Sequence, residues 1–121
     1  PQTATLLIDR FHTLMRLIKA MPQPLIAAVQ GPVAGGGVGL ALACDLVVAM
    51  EDIHLERMRD IYGGELPDHV VLLTDYDPQA NPGDGVPDPW YGGQDGFVTT
   101  LATMERAMPG LADAVRTIKQ S

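Results

Sequence analysis

The sequence predicts an α/β fold: three α/β/α layers around a small parallel sheet of about three strands, joined by right-handed βαβ crossovers. Three observations predict it. Short, largely apolar runs at Leu25–Val29, Leu46–Ala49 and Val70–Thr74 have strand length and no polar alternation, the mark of strands buried on both faces. Segments with helical spacing stand between and after them. Glycines and prolines punctuate the joins. Strand, helix, strand, helix, strand, helix is the order in which a parallel sheet is assembled.

Each element follows from local chemistry. Thr3–Met21 carries Leu6, Leu7, Phe11, Leu14, Met15, Leu17 and Ile18 at spacings that put them on one side of a helix. Pro22 and Pro24 end that helix. Leu25–Val29 (LIAAV) is the first strand. Gly31–Gly39 (GPVAGGGVG) is a glycine-rich turn that opens a helix near Gly36 or Gly37, and Asp45 breaks it. Leu46–Ala49 (LVVA) is the second strand. Asp52–Tyr62 has helical spacing and stops at Gly63 and Gly64. Val70–Thr74 (VVLLT) is the third strand. Asp75–Gly96 is rich in proline, glycine and aspartate, and a loop of that length in a compact domain is usually functional or mobile. Its acidic residues, Asp75, Asp77, Asp84 and Asp88, read as a solvated loop. Phe97–Met108 places Phe97, Leu101, Met104 and Met108 on one helical face. Pro109 should interrupt it before a last helix reaches about Lys119.

The strands should lie side by side in chain order, with helices on both faces. Leu25–Val29 then has no further strand beside it. Either the first helix covers that edge or two copies of the chain pair there, since an uncovered parallel edge invites self-association.

With 121 residues, 46% apolar and 19% charged, the chain reads as one globular domain, 1–121. Its net charge of −7 argues against nucleic acid and against an anionic membrane as partners, since both are recognised by basic patches. No apolar stretch has the length of a bilayer span. The one cysteine, Cys44, cannot form a disulfide within the chain. With His12, His54 and His69 scattered at surface or boundary positions, no metal-ligand spacing emerges. No metal and no cofactor is expected, and the setting reads as cytoplasmic.

Two stretches carry resemblances. Pro24–Ala49 (PLIAAVQGPVAGGGVGLALACDLVVA) is similar to the enoyl-CoA hydratase/isomerase superfamily, the crotonases, and the likeness extends over about residues 6–49. From Asp45 on, DLVVAMEDIHLERM, VVLLTDYDP and VPDPWYGGQDGF resemble the low-molecular-weight protein tyrosine phosphatases. The chain thus reads as a crotonase-like segment, 1–44, joined to a phosphatase-like segment, 45–121. Asp45–Ala49 (DLVVA) suits either family, because each needs a buried parallel strand there. This is the pattern of a recombined or designed chimera.

The resemblances imply roles for particular residues. In the crotonases one oxyanion donor is a backbone N–H of the glycine-rich turn, which matches Gly36. In the phosphatases the aspartate before proline in the last loop is the general acid, which matches Asp88. Trp90 and Tyr91 match the aromatic wall of the substrate cleft. The phosphatase nucleophile, however, is a cysteine followed six residues later by arginine, and six residues after Cys44 stands Met50. Where hydratases place a carboxylate, three residues beyond the central glycine, Gly39 stands. Both parent sites therefore read as incomplete, Asp88 as a vestigial acid, and Cys44 as a core thiol. The glycine turn opens a helix, so its N–H groups are suited to holding a phosphate or sulfate weakly, facing the Asp88 loop. The expected domain is non-catalytic. A phosphatase-like hydrolase and a weak phosphate or acyl-CoA binding module are the alternatives.

Overall fold

The computed structural model describes residues 2–31, 33–91 and 93–119. Helix α1 (Gln2–Ala20) leads to strand β1 (Ile26–Val29), helix α2 (Gly36–Ala43), strand β2 (Leu46–Ala49), helix α3 (Asp52–Tyr62), strand β3 (Val70–Leu72) and helix α4 (Gln94–Thr117). The strands form one parallel sheet in the order β1-β2-β3, as the sequence predicts. Ile26 pairs with Leu46, and Val47 with Val70, so β2 is central.

Central position explains the composition of β2. All four of its residues are buried, with Val47 and Ala49 at 0% exposure. Because strand side chains alternate, its two faces build two separate cores. Val47 and Ala49 join Val29, Leu72, Ala41 of α2, and Leu55 and Met58 of α3. Leu46 and Val48 join Leu73, Val86 and Ala107 of α4. Helices α2 and α3 therefore cover one face and α4 the other, which gives the three layers. Both crossovers step in the same direction across the sheet. Crossovers of one hand then put both connecting helices on one face.

The structure departs from the sequence expectations in several places. The third strand ends at Leu72, and Leu73–Tyr76 turns into a short 3-10 helix in which the Asp75 carboxylate accepts from the Leu72 N–H at 2.9 Å. A local side-chain acceptor has outcompeted the ladder. Pro109 does not interrupt α4, which runs unbroken across it. The carbonyl that loses its bond is that of Glu105, and both Glu105 and Pro109 are exposed, so water can satisfy it. The long loop is pinned rather than free. The Thr74 hydroxyl donates to the Asp84 carbonyl, the Val86 N–H to Met50 O at 2.7 Å, and the Thr100 hydroxyl to Pro87 O at 2.7 Å.

The acidic loop is not uniformly solvated either. Asp77 is buried and holds Arg106 of α4 in a two-pronged pair, from Nε at 3.0 Å and Nη2 at 2.9 Å, while also accepting from the Gln79 N–H. The guanidinium, with that N–H, holds the Asp77 carboxyl below the usual carboxylate range. His54 is also buried rather than at a boundary, and its Nδ1 has no partner among the described residues. No described helix is long and apolar enough to cross a membrane.

Candidate functional site

The carboxyl ends of β1 and β2 are where a parallel sheet presents groups to a ligand. Two segments approach that end. The first is the turn between β1 and α2. Gly35 adopts φ +54°, which lets the chain swing into α2, and Gly36 takes the first helical position, where an N–H has no partner within the helix. The second is the loop before α4. Gly85 lies so close to the turn after β2 that a Cβ there would sit 3.0 Å from Glu51 Cα, so a side chain would push the loop off that turn. The bond from Val86 N–H to Met50 O then fixes the chain two residues short of Asp88.

Asp88 itself is exposed, and its Oδ1 accepts the Trp90 backbone N–H at 2.9 Å, a local turn. It lines a cavity of about 340 Å³ with Gln30, Glu51, Pro89, Thr100 and Met104 among its neighbours. This lining holds two carboxylates and no basic residue, so an anion entering it meets like charge. The Thr100 hydroxyl is engaged with Pro87 O. Trp90 is 78% exposed and is not among the residues that line this cavity. The side chain of Tyr91 lies outside the described residues, although its backbone closes a short 3-10 turn, Pro89–Tyr91.

Gly36 lies elsewhere. Its cavity, about 330 Å³, is lined by Leu7, Ile8, Phe11 and His12 of α1. The Phe11 ring edge comes within 4.0 Å of where a Gly36 Cβ would stand. Gln30 is the one residue that touches both the Asp88 cavity and the hollow containing Gly31 and Gly37. The layers explain the separation. Gly36 starts a helix on one face of the sheet, while Asp88 leads into the helix on the other.

Cys44 sits before β2, at the end of the strand opposite Met50 and Glu51. Met50 lies six positions further on, a span of roughly 20 Å when fully extended. The thiol is buried, donates to Leu40 O at 3.5 Å, and is pushed up in pKa by burial and then by the Asp45 carboxylate. It is held as the neutral thiol, which is a poor nucleophile.

The residues that the sequence did not single out lie at the join. Asp45 Oδ2 accepts the Leu25 N–H at 2.8 Å and the Lys119 ammonium at 3.0 Å. Lys119 also donates to Gln23 O at 3.0 Å. Burial alone would raise the Asp45 pKa, but the Leu25 bond and then Lys119 outweigh it, and the net shift is downward. The root of β1, the start of β2 and the tail of α4 meet at this one carboxylate. In the sequence Asp45 marked only the end of the preceding helix and the start of the second resemblance.

Comparison with known proteins finds two families in the chain. The family model described as low molecular weight phosphotyrosine protein phosphatase matches residues 39–121, and that described as enoyl-CoA hydratase/isomerase matches residues 1–67. A low molecular weight protein-tyrosine-phosphatase of Streptomyces coelicolor is 47% identical over 74 residues, 60% of this chain and 45% of that protein. A probable enoyl-CoA hydratase of Bacillus subtilis is 43% identical over 54 residues, 45% of this chain and 21% of that protein. A putative enoyl-CoA hydratase of Thermus thermophilus is 54% identical over 46 residues, covering 36% and 18% respectively. The chain thus spans under half the length of each of these relatives. The two matched ranges overlap across residues 39–67, which contain β2 and α3.

Proposed function

From the premise that this chain belongs to both the low molecular weight phosphotyrosine protein phosphatase family and the enoyl-CoA hydratase/isomerase family, we propose that its 121 residues form a non-catalytic α/β domain, recombined at β2. One observation carries the reading. The only thiol of the sequence is buried at the amino end of β2, while Asp88, the inherited acid, stands at the carboxyl end beside a second carboxylate. A general acid can protonate a leaving group only where a nucleophile and an anion site are within reach. Neither adjoins Asp88 among the described residues. The single buried cysteine supports a reducing, cytoplasmic setting, and the acidic charge supports partners other than nucleic acid or membrane.

The test is turnover of p-nitrophenyl phosphate and of crotonyl-CoA by the intact chain. The expected result is a rate indistinguishable from buffer for both. An aryl phosphatase rate that disappears in Asp88→Asn overturns the proposal.

A second reading is favoured by the cavity at Gly36. Its lining of Leu7, Ile8 and Phe11 suits an acyl chain better than a phosphate. A weak acyl-CoA site there should raise the melting temperature with millimolar octanoyl-CoA and leave it unmoved with inorganic phosphate. Equal responses, or none, count against it.

A further inference from the structure

The outer side of β1 is an unpaired sheet edge. Leu25 O accepts from the Asp45 and Leu46 N–H groups and Val29 O accepts from the Met50 N–H, so residues 25, 27 and 29 turn their backbone groups toward β2. In a parallel ladder the alternate residues, Ile26 and Ala28, then point theirs away from it. No described strand lies on that side. A hollow of about 390 Å³ runs there instead, between Ala27, Ala28 and Val29 and the Leu40 and Ala41 of α2.

We propose that a second copy of this chain fills that edge. The two β1 strands pair antiparallel across a two-fold axis at Ala27, making one continuous sheet from three strands of each copy. The register is self-complementary. With the axis at Ala27, Ile26 faces Ala28 of the partner subunit, and each such pair exchanges both its N–H···O bonds. Every outward backbone group of β1 is then satisfied by the same strand reversed. Ala27 meets its own equivalent in the closer, non-hydrogen-bonded position, where a methyl group leaves room.

The side chains agree. The α4 core reaches β2 and β3 but includes no residue of β1, and Ile26 stays 39% exposed in that layer. In the opposite layer Leu40 is 36% exposed, and α1, which packs on α2, leaves Leu7, Leu14 and Leu17 at 70%, 44% and 61%. Leu40 also lines the hollow beside Ala27 and Ala28, so a strand seated on that edge covers it.

Sedimentation equilibrium of the intact chain at tens of micromolar tests this. The expected mass is twice 12.9 kDa. Ala28→Pro removes an N–H that bonds nothing within the chain, so it should give a monomer with an unchanged far-ultraviolet circular dichroism spectrum and a melting temperature that no longer depends on protein concentration. Ile26→Lys, at an exposed position, should weaken the dimer at least tenfold. Ala27→Cys combined with Cys44→Ala should oxidise to a covalent dimer on a non-reducing gel; Cys44 is removed because it lines the same hollow as Ala27. A monomeric wild-type chain overturns the proposal. So does a dimer that survives both Ile26→Lys and Ala28→Pro. Should Ala28→Pro fail to fold, an undiminished dimer in Ile26→Lys is sufficient to reject it.

Discussion

Helices α1 and α4 are the longest in the molecule, at 19 and 24 residues, and both carry an apolar stripe, yet they are used differently. Helix α4 lays Ala107, Met104 and Leu111 onto the even-numbered face of β2 and anchors Arg106 on Asp77. Helix α1 buries Ile18 alone. Leu6, Leu7, Ile8 and Leu17 are each more than half exposed. An amphipathic pattern says that a helix has a face to bury, but not what will cover it. The phosphatase-like segment brings both a helix and the loop and strand surface that receive it. The crotonase-like segment brings a helix whose stripe is wider than the surface it meets.

That contrast predicts an ordered set of effects on stability. The largest is expected on the shared core. Met58→Ala, at 0% exposure, should cost about 2–5 kcal/mol in urea unfolding, with the melting temperature falling in proportion. A loss under 1 kcal/mol would mean that the α3 layer is loosely packed. Next comes the Asp77 pair. Asp77→Asn should lower the melting temperature clearly at neutral pH, because Arg106 loses its charged partner, and Arg106→Lys should not restore the two-pronged geometry.

The pH dependence follows from the direction of the shifts. Asp45 and Asp77 both have folded pKa values below their unfolded ones. Their stabilisation is present above the unfolded carboxylate range, near 4, and is lost as pH falls through the folded values. Acid unfolding monitored by circular dichroism should therefore set in below about pH 4, and Asp77→Asn should flatten its slope. A profile identical to wild type would sink the assignment.

Smaller still is Cys44. A disulfide-exchange reagent at neutral pH should react with it at a rate set by unfolding, with a full equivalent only in denaturant. The smallest effect is expected on α1. Leu7→Gln, at 70% exposure, should shift monomer stability by less than about 0.5 kcal/mol. A large loss would show that the stripe is already covered.

The sheet was legible from the sequence because buried parallel strands leave a plain signature. LIAAV stands between Pro24 and Gly31, LVVA follows the helix-breaking Asp45, both are too short for a helix, and strand order follows from short crossovers. The Asp75–Gly96 segment was less legible. Its aspartates look alike in sequence, yet Asp75 caps a backbone N–H, Asp77 binds a guanidinium 29 residues away, and Asp88 faces solvent. Only tertiary placement separates these fates. Pro109 misled for the opposite reason. A proline costs the helix one N–H···O bond and crowds the carbonyl four residues back, and that carbonyl belongs to the exposed Glu105, which can turn to water. For the candidate site, the sequence placed Gly36 and Asp88 after strands of one sheet. It could not say that the chain leaves those strands toward opposite layers.

The grip of Lys119 has a topological consequence. Its ammonium reaches Gln23 O, so the tail of the chain returns to the root of the first strand. The path from β1 to Lys119 is therefore almost a closed ring, and a linker of about three residues would bridge it. Such a ring could be opened at Gly63–Gly64, past the end of α3, and re-threaded as a circular permutant that leaves out the first helix and keeps every strand pairing.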